Sequence, residues 1–338
     1  MLTRRTALMA FAATAAMTAG ATAGEFLKMA TLGPGSSPYM VMNTFAQIAN
    51  KSDADVTIQV NATGAASAHA VQAAQGKLDF FMLAPVVHQY MMDGTAMFKP
   101  VKNAPELAKN LRSVFAFPIG YYHVVSRAED GITSFADLRG RKIFVGPPGG
   151  SAPVTMKRMI TAATGMQDGV DYEAVSVGWD AGLQAFQDGR LDVYANPTLP
   201  PSPVIEQLAL SRKIRLIGLS SADLEQPGIQ ELITRPGGAT ATIPAGTYGD
   251  AQVNDDDILV VASYGGLGTN KDVSADLIYT LTRTFWEAIA AGNAGGPWMR
   301  NVTIENALRD LNMPLHPGAL RYYDEIGLAV PDDLRPAG

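Results

Sequence analysis

The chain has 338 residues, a formal net charge of −6 and 17% charged residues, below the roughly 25% of an average domain. It carries no Lys/Arg block of the kind that tracks a nucleic-acid backbone. It has no cysteine, which excludes a disulfide scaffold and a lipidated thiol.

The first segment reads as an export signal. Arg4 and Arg5 precede a small apolar run from Ala7 to Ala16, and Ala21-Thr22-Ala23 is a cleavage signal before Gly24. The adjacent arginines also permit a twin-arginine route. The expected mature protein is periplasmic, cleaved near Ala23 and long enough for two domains.

Strands and helices then alternate. Phe26 to Thr31 predict a strand, Leu32 to Pro38 a loop, and a helix runs to about Asn50 with Val41, Phe45, Ile48 and Ala49 on one face. Val56 to Asn61 predict a second strand, Thr63 to Gly76 a loop plus helix, and Leu78 to Ala84 a third strand ended by Pro85. Leu111 to Arg127 form a long extended run broken at Pro118-Ile119-Gly120, read as a first interdomain crossing. The same grammar repeats with strands at Lys142–Gly146, Tyr172–Val177, Leu191–Ala195 and Ile214–Leu219, and with helices at 151–164, 179–188 and 201–211. From about Ala239 the pattern is irregular, and Ile258 to Tyr264 read as a returning strand. The helix from Asp272 to Ala291 carries Leu277, Leu281, Phe285 and Ala288 on one stripe.

This pattern predicts an α/β protein of two units, with a parallel sheet and crossover helices: lobe one from 24–120 plus 251–338, lobe two from 121–250. Ligands of open α/β sheets sit at the carboxyl ends of strands. Four loops occupy that slot: Gly33–Pro38, Asn61–Ser67, Ala84–His88 and Gly146–Ala152. The candidate ligand-binding residues are Gly33, Ser36, Ser37 and Tyr39 in the first and Asn61, Thr63, Ser67 and His69 in and after the second. Gly149, Gly150, Ser151 and Ala152 supply the fourth, with Trp179 as an aromatic wall and Asn196 at a strand end. The serines also suit helix capping, Trp179 suits packing and Asn196 suits turn formation, so these alternatives stand beside ligand contact.

The glycine-rich GPPGGSAP loop opens a helix and can cradle an anion through backbone N–H groups. It lacks the Lys-Ser/Thr pair of a nucleotide P-loop. His69, His88, His123 and His316 show no metal spacing, and Asp255-Asp256-Asp257 lacks the spaced oxygens of a calcium loop. No nucleophile elbow or zinc-protease motif is present. No cofactor, metal or enzymatic activity is expected. No cleft loop carries an obvious arginine, so N–H groups, hydroxyls and helix dipoles are expected to meet the charge of a ligand, with entry of Arg112 or Arg127 from the crossing run as the alternative.

Four segments carry a family resemblance: GITSFADLRGRKIFVGPPGGS at 131–151, DGRLDVYANP at 188–197, IPAGTYGD at 243–250 and PLHPGALRYYDEIGL at 314–328. Together they resemble the TAXI family of solute-binding proteins of tripartite ATP-independent periplasmic (TRAP) transporters, over about Leu27 to Val330. The resemblance implies a type II periplasmic-binding-protein fold, with two lobes and a ligand cleft and hinge between them. It implies a monomer that captures a small solute, usually a carboxylate, and delivers it to TRAP permease membrane subunits. The loops depart from the family pattern. Leu32-Gly33-Pro34-Gly35 stands where Gly-Gly usually follows the threonine, the second loop lacks its asparagine, and Gly149-Gly150-Ser151-Ala152 replaces Gly-Ser-Gly-Thr. An exported transferase-like enzyme and a solute sensor for a membrane receptor remain the alternative functions.

Overall fold

The computed structural model describes residues 24–336, so the expected signal segment lies outside the described residues. The chain opens with β1 (Glu25–Ala30), α1 (Ser37–Lys51), β2 (Val56–Asn61), α2 (Ala66–Ala74), β3 (Phe80–Leu83), α3 (Pro85–Asp93) and α4 (Ala104–Ala108). The 17-residue β4 (Leu111–Arg127) follows. Next come β5 (Lys142–Phe144), α5 (Ser151–Thr164), β6 (Glu173–Val175), α6 (Trp179–Gln187), β7 (Val193–Thr198) and α7 (Pro203–Ser211). β8 (Ile214–Leu216), α8 (Ser221–Leu224), α9 (Pro227–Thr234) and β9 (Gly238–Ile243) lead to β10 (Ile258–Asn270), α10 (Ala275–Ala290) and α11 (Pro317–Glu325).

The strands form one curled sheet in the order β2-β1-β3-β10-β4-β7-β5-β6, with β8 on β4 and β9 on β10. β1 pairs in parallel with β2 and β3, and β5 with β6 and β7. The long strands β4 and β10 are antiparallel to each other and serve both halves. Leu111 to Phe117 pair with Gly265 to Asn270, while Tyr121 to Ser126 pair with β7. Ile258 to Ser263 pair with β9.

Separate apolar clusters cover the two ends of these strands. The first holds residues from β1–β4, Leu267, α10 and α11, with Phe45 against Phe80, Phe115 and Phe285 at 5.5–5.8 Å between ring centres. Two more cover opposite faces of the other end. One holds Tyr122, Val124, Ile143, Met156, Ile160 and Val261, and the other Val125, Phe144, Phe186, Tyr194 and Ile258.

Several sequence expectations change here. The sheet is mixed rather than parallel. Gly238 to Ile243, expected to be irregular, form β9 because β10 supplies a partner. The returning strand continues past Tyr264 to Asn270 through the middle of the sheet. On α10 the buried face is Ile278, Leu281, Thr282, Phe285 and Trp286, rotated from the expected stripe. The cause is α11, whose Gly318 lies against the Ala275 carbonyl and whose Tyr323 hydroxyl accepts from Trp286 Nε1 at 3.2 Å. Residues 252–261 pack with the second half: Gln252 bridges Ile214, Asn254 Oδ1 accepts from Leu216 N at 2.9 Å, and Ile258 and Val261 enter its cores.

Candidate functional site

The register brings the strand ends together. Leu83, the last residue of β3, pairs with Gly266, so Tyr264 lies just beyond it, opposite Pro118. Across the crossing, Tyr121 pairs with Thr198 at the end of β7, and β7 runs parallel to β5. The loops after β1, β3, β5 and β6 therefore face one another across residues 118–121. Gly120 permits this approach, because a Cβ there would overlap the Pro197 carbonyl carbon and the Thr198 nitrogen.

The halves touch at defined points. A Cβ at Gly35 would lie 3.9 Å from the Trp179 Cβ, and one at Gly237 would lie 3.2 Å from Pro85 Cγ. Ser37 Oγ lies 3.5 Å from Thr198 Oγ1 and accepts from Leu199 N at 3.0 Å.

The first loop is held by its own serines. Ser36 Oγ donates to the Gly33 carbonyl at 2.7 Å and accepts from Tyr39 N at 3.4 Å, capping α1. Ser37 is fully buried, with its hydroxyl engaged by residues 198–199, and Tyr39 is half-buried. In the second loop, exposed Thr63 donates to Asn61 Oδ1 at 2.8 Å. His69 is buried beneath it and its Nε2–H donates to the Thr63 carbonyl at 2.7 Å. Burial lowers its pKa, so the ring is neutral and acts as a prop for this loop. Ser67 is half-buried in the first turn of α2.

The fourth loop is the most open. Gly149, Gly150 and Ser151 are exposed, while Ala152 is buried against Gly146. Only Gly149 of the first two needs a left-handed backbone, with φ +78°. Trp179 is half-buried between this loop and Gly35, and its ring meets Phe144 edge-on at 5.6 Å. Asn196 is fully buried, where its Nδ2 donates to the Tyr194 hydroxyl at 3.0 Å and its Oδ1 has no partner.

Four helices begin at these loops without a side-chain cap: α2 at Ala65, α3 at Ala84, α5 at Gly150 and α6 at Gly178. Their first N–H groups and dipoles are positive ends without an internal acceptor side chain. Thr31 Oγ1, at the end of β1, is fully buried and also lacks a partner.

Sequence reading missed two features here. The first is a buried polar chain. His123 Nδ1–H donates to the Tyr121 carbonyl at 2.8 Å, which leaves Nε2 to accept from the Tyr248 hydroxyl at 2.7 Å. Tyr248 in turn accepts from Ser202 N, and Ser202 Oγ accepts from Thr198, the neighbour of Ser37. Desolvation lowers the His123 pKa to about 4.

The second feature is Arg235, at the turn between α9 and β9, whose Nη2 donates to Thr155 Oγ1 at 2.7 Å. Arg112 and Arg127 do not play that part. Arg112 donates to the carbonyls of Lys109 and Leu111, and Arg127 is paired with Asp130 at 2.7 Å.

Away from these loops, an open groove of about 520 Å³ is lined by Thr133, Ser134, Arg215, Asn254 and exposed Asp255–Asp257. Among the described residues no His, Cys, Asp and Glu cluster is arranged to hold a metal ion, and no helix is long and apolar enough to cross a membrane.

Residues 29–327 match the family model described as the NMT1-like family, and the chain belongs to that family. Its fold is that of a solved periplasmic transporter, at TM-score 0.53 and 15% identity over 91% of this chain and 94% of the other. The periplasmic aliphatic sulphonate binding protein SsuA from Escherichia coli aligns at TM-score 0.46 and 17% identity, over 89% of this chain and 83% of that one. A TRAP periplasmic solute binding protein from Polaromonas, bound to D-erythronate, aligns at TM-score 0.42 and 12% identity, over 82% and 81%.

Proposed function

We propose that this member of the NMT1-like family is a periplasmic solute-binding protein that captures a small organic carboxylate between two lobes. It then delivers the solute to a TRAP permease driven by an ion gradient. The observation that carries this reading is the set of uncapped starts of α3, α5 and α6 beside the crossing strands. N–H groups there can satisfy an anion that bridges both halves.

The lobes divide where β4 and β10 cross, at Gly120 and between Ser263 and Tyr264. Closing them around a solute is favoured by whatever contacts the open form lacks, which loops from both sides supply. The four segments that resemble the TAXI family support the transporter partner. The Arg4-Arg5 start and Ala21-Thr22-Ala23 support export.

A thermal-shift screen across organic acids, amino acids and sugar acids tests capture, because a solute that binds the native state raises Tm. At least one organic acid is expected to raise it and to be recovered intact. Consumption of the solute would replace this reading with an exported enzyme. Solute uptake into vesicles carrying the permease subunits, dependent on added protein, tests delivery.

A further inference from the structure

We infer that Arg235 receives the carboxylate of the bound solute, held in place by Thr155. This rests on the solute-binding reading and names the group that would recognise the solute's charge.

Arg235 is half-buried, yet no carboxylate lies within ion-pair distance of it among the described residues. Glu231 on α9, the acid that acts on it, is engaged by Arg158 at 2.9 Å. The other charged or titratable groups facing it are Tyr122, Arg158 and Tyr90, none of them an anion at neutral pH. Arg127, the arginine that is buried outright, is paired within the protein. It has Asp130 at 2.7 Å, Asp192 at 3.8 Å and the Phe186 ring beneath it. A half-buried guanidinium is partly desolvated, and without a counter-ion from the protein it is open to an anion from outside.

Its position fits that use. Thr155, 1% exposed, lies in the N-terminal half of α5 and fixes one edge of the guanidinium, leaving the other donors of the planar fork free. Two residues on, Gly237 abuts Pro85, the first residue of α3 in the other half, and Tyr90 of α3 faces the guanidinium. An anion at Arg235 thus lies beside the uncapped start of α3. A carboxylate matches the fork with two parallel hydrogen bonds.

The test uses purified mature protein and a panel of aliphatic, 2-oxo and aromatic monocarboxylates, each beside its primary amide and its sulfonate analogue. Wild type is expected to bind a carboxylate and not its amide. Arg235→Gln should weaken that affinity about 10- to 100-fold, and Arg235→Lys, which keeps the charge and loses the fork, should fall between. Without solute, Arg235→Gln should melt no lower than wild type, since it removes an uncompensated charge. Full affinity in Arg235→Gln overturns the proposal, as does equal binding of acid and amide, or preference for sulfonates. A ligand-free Arg235→Gln that melts several degrees lower also overturns it, by making Arg235 a structural clamp. If no member of the panel, charged or neutral, shifts wild type, the solute reading fails for these classes. The ligand-free melt then decides the case of Arg235 alone.

Discussion

Ser37→Ala separates a structural hydroxyl from a ligand-binding one. Ser37 lies at the start of α1 in a loop that faces the other half, yet its Oγ accepts from Leu199 N at 3.0 Å and sits against Thr198. Leu199 and Thr198 are both fully buried, so alanine leaves the Leu199 N–H without an acceptor and without water. An orphaned buried amide costs about 1–3 kcal/mol, and the 3.5 Å contact to Thr198 is too long to add much. The expected loss is therefore about 2 kcal/mol. Urea unfolding should show a lower midpoint with an unchanged slope, since the surface exposed on unfolding is the same. Solute affinity should stay within twofold of wild type by calorimetry, about the scatter of the method, because both bonds are internal. A Ser37→Ala protein as stable as wild type, or one that keeps its stability and loses its solute, would refute the assignment.

Other outcomes follow from the same geometry. Gly120→Ala should destabilise by about 1–3 kcal/mol or more in urea unfolding, since its Cβ meets the Pro197–Thr198 backbone rather than a movable side chain. Gly150→Val should leave stability unchanged, because Gly150 has φ −92° and only the Pro147 carbonyl nearby, at 3.6 Å; loss of solute binding in that stable protein would place the loop in the site. Solute-induced fluorescence change should vanish in Trp179→Phe, because Trp286 and Trp298 are buried in the first core. His123 is neutral in the fold with a pKa of about 4, against 6.5 when unfolded, so the unfolded chain binds the extra proton between those values. Stability should be complete above about pH 6.5 and fall as pH drops towards 4, with His123 alone contributing a loss of about 2 kcal/mol by pH 5 in urea titrations.

Elements with a strong period were legible in the sequence. α1 follows its apolar spacing, and β4 was found with its bounds because Leu111 to Arg127 contain no turn signal except Pro118-Ile119-Gly120. α3 was not recognised: Pro85 reads as a strand terminator, whereas in place it is the first residue of a helix, where its missing N–H costs nothing. β9 has no period of its own strength and exists through β10. Of the four candidate loops, those after β1, β2 and β5 were legible as loops, but not the direction of their side chains. Ser37 meets a partner 161 positions away, and Arg235 reaches Thr155 across 80. Such contacts follow from tertiary packing, and no local spacing announces them.

The two long strands have a consequence for how the chain folds. The second half is continuous in sequence, from Tyr121 to about Ser263, and apart from Ser263 opposite Gly120 the partners of its strands lie within that stretch. The first half is not. β3 needs Gly266 to Thr269 as its neighbour, Ser113 bonds the Met313 carbonyl, and the Val114 carbonyl awaits the Tyr323 hydroxyl. The start of β4 completes its contacts only with a segment synthesised some 200 residues later. The middle of the chain can therefore close first, while Phe80, Phe115 and Phe117 stay uncovered until the C-terminal helices arrive. The slow, aggregation-exposed step is expected in the half that holds both β1 and α11.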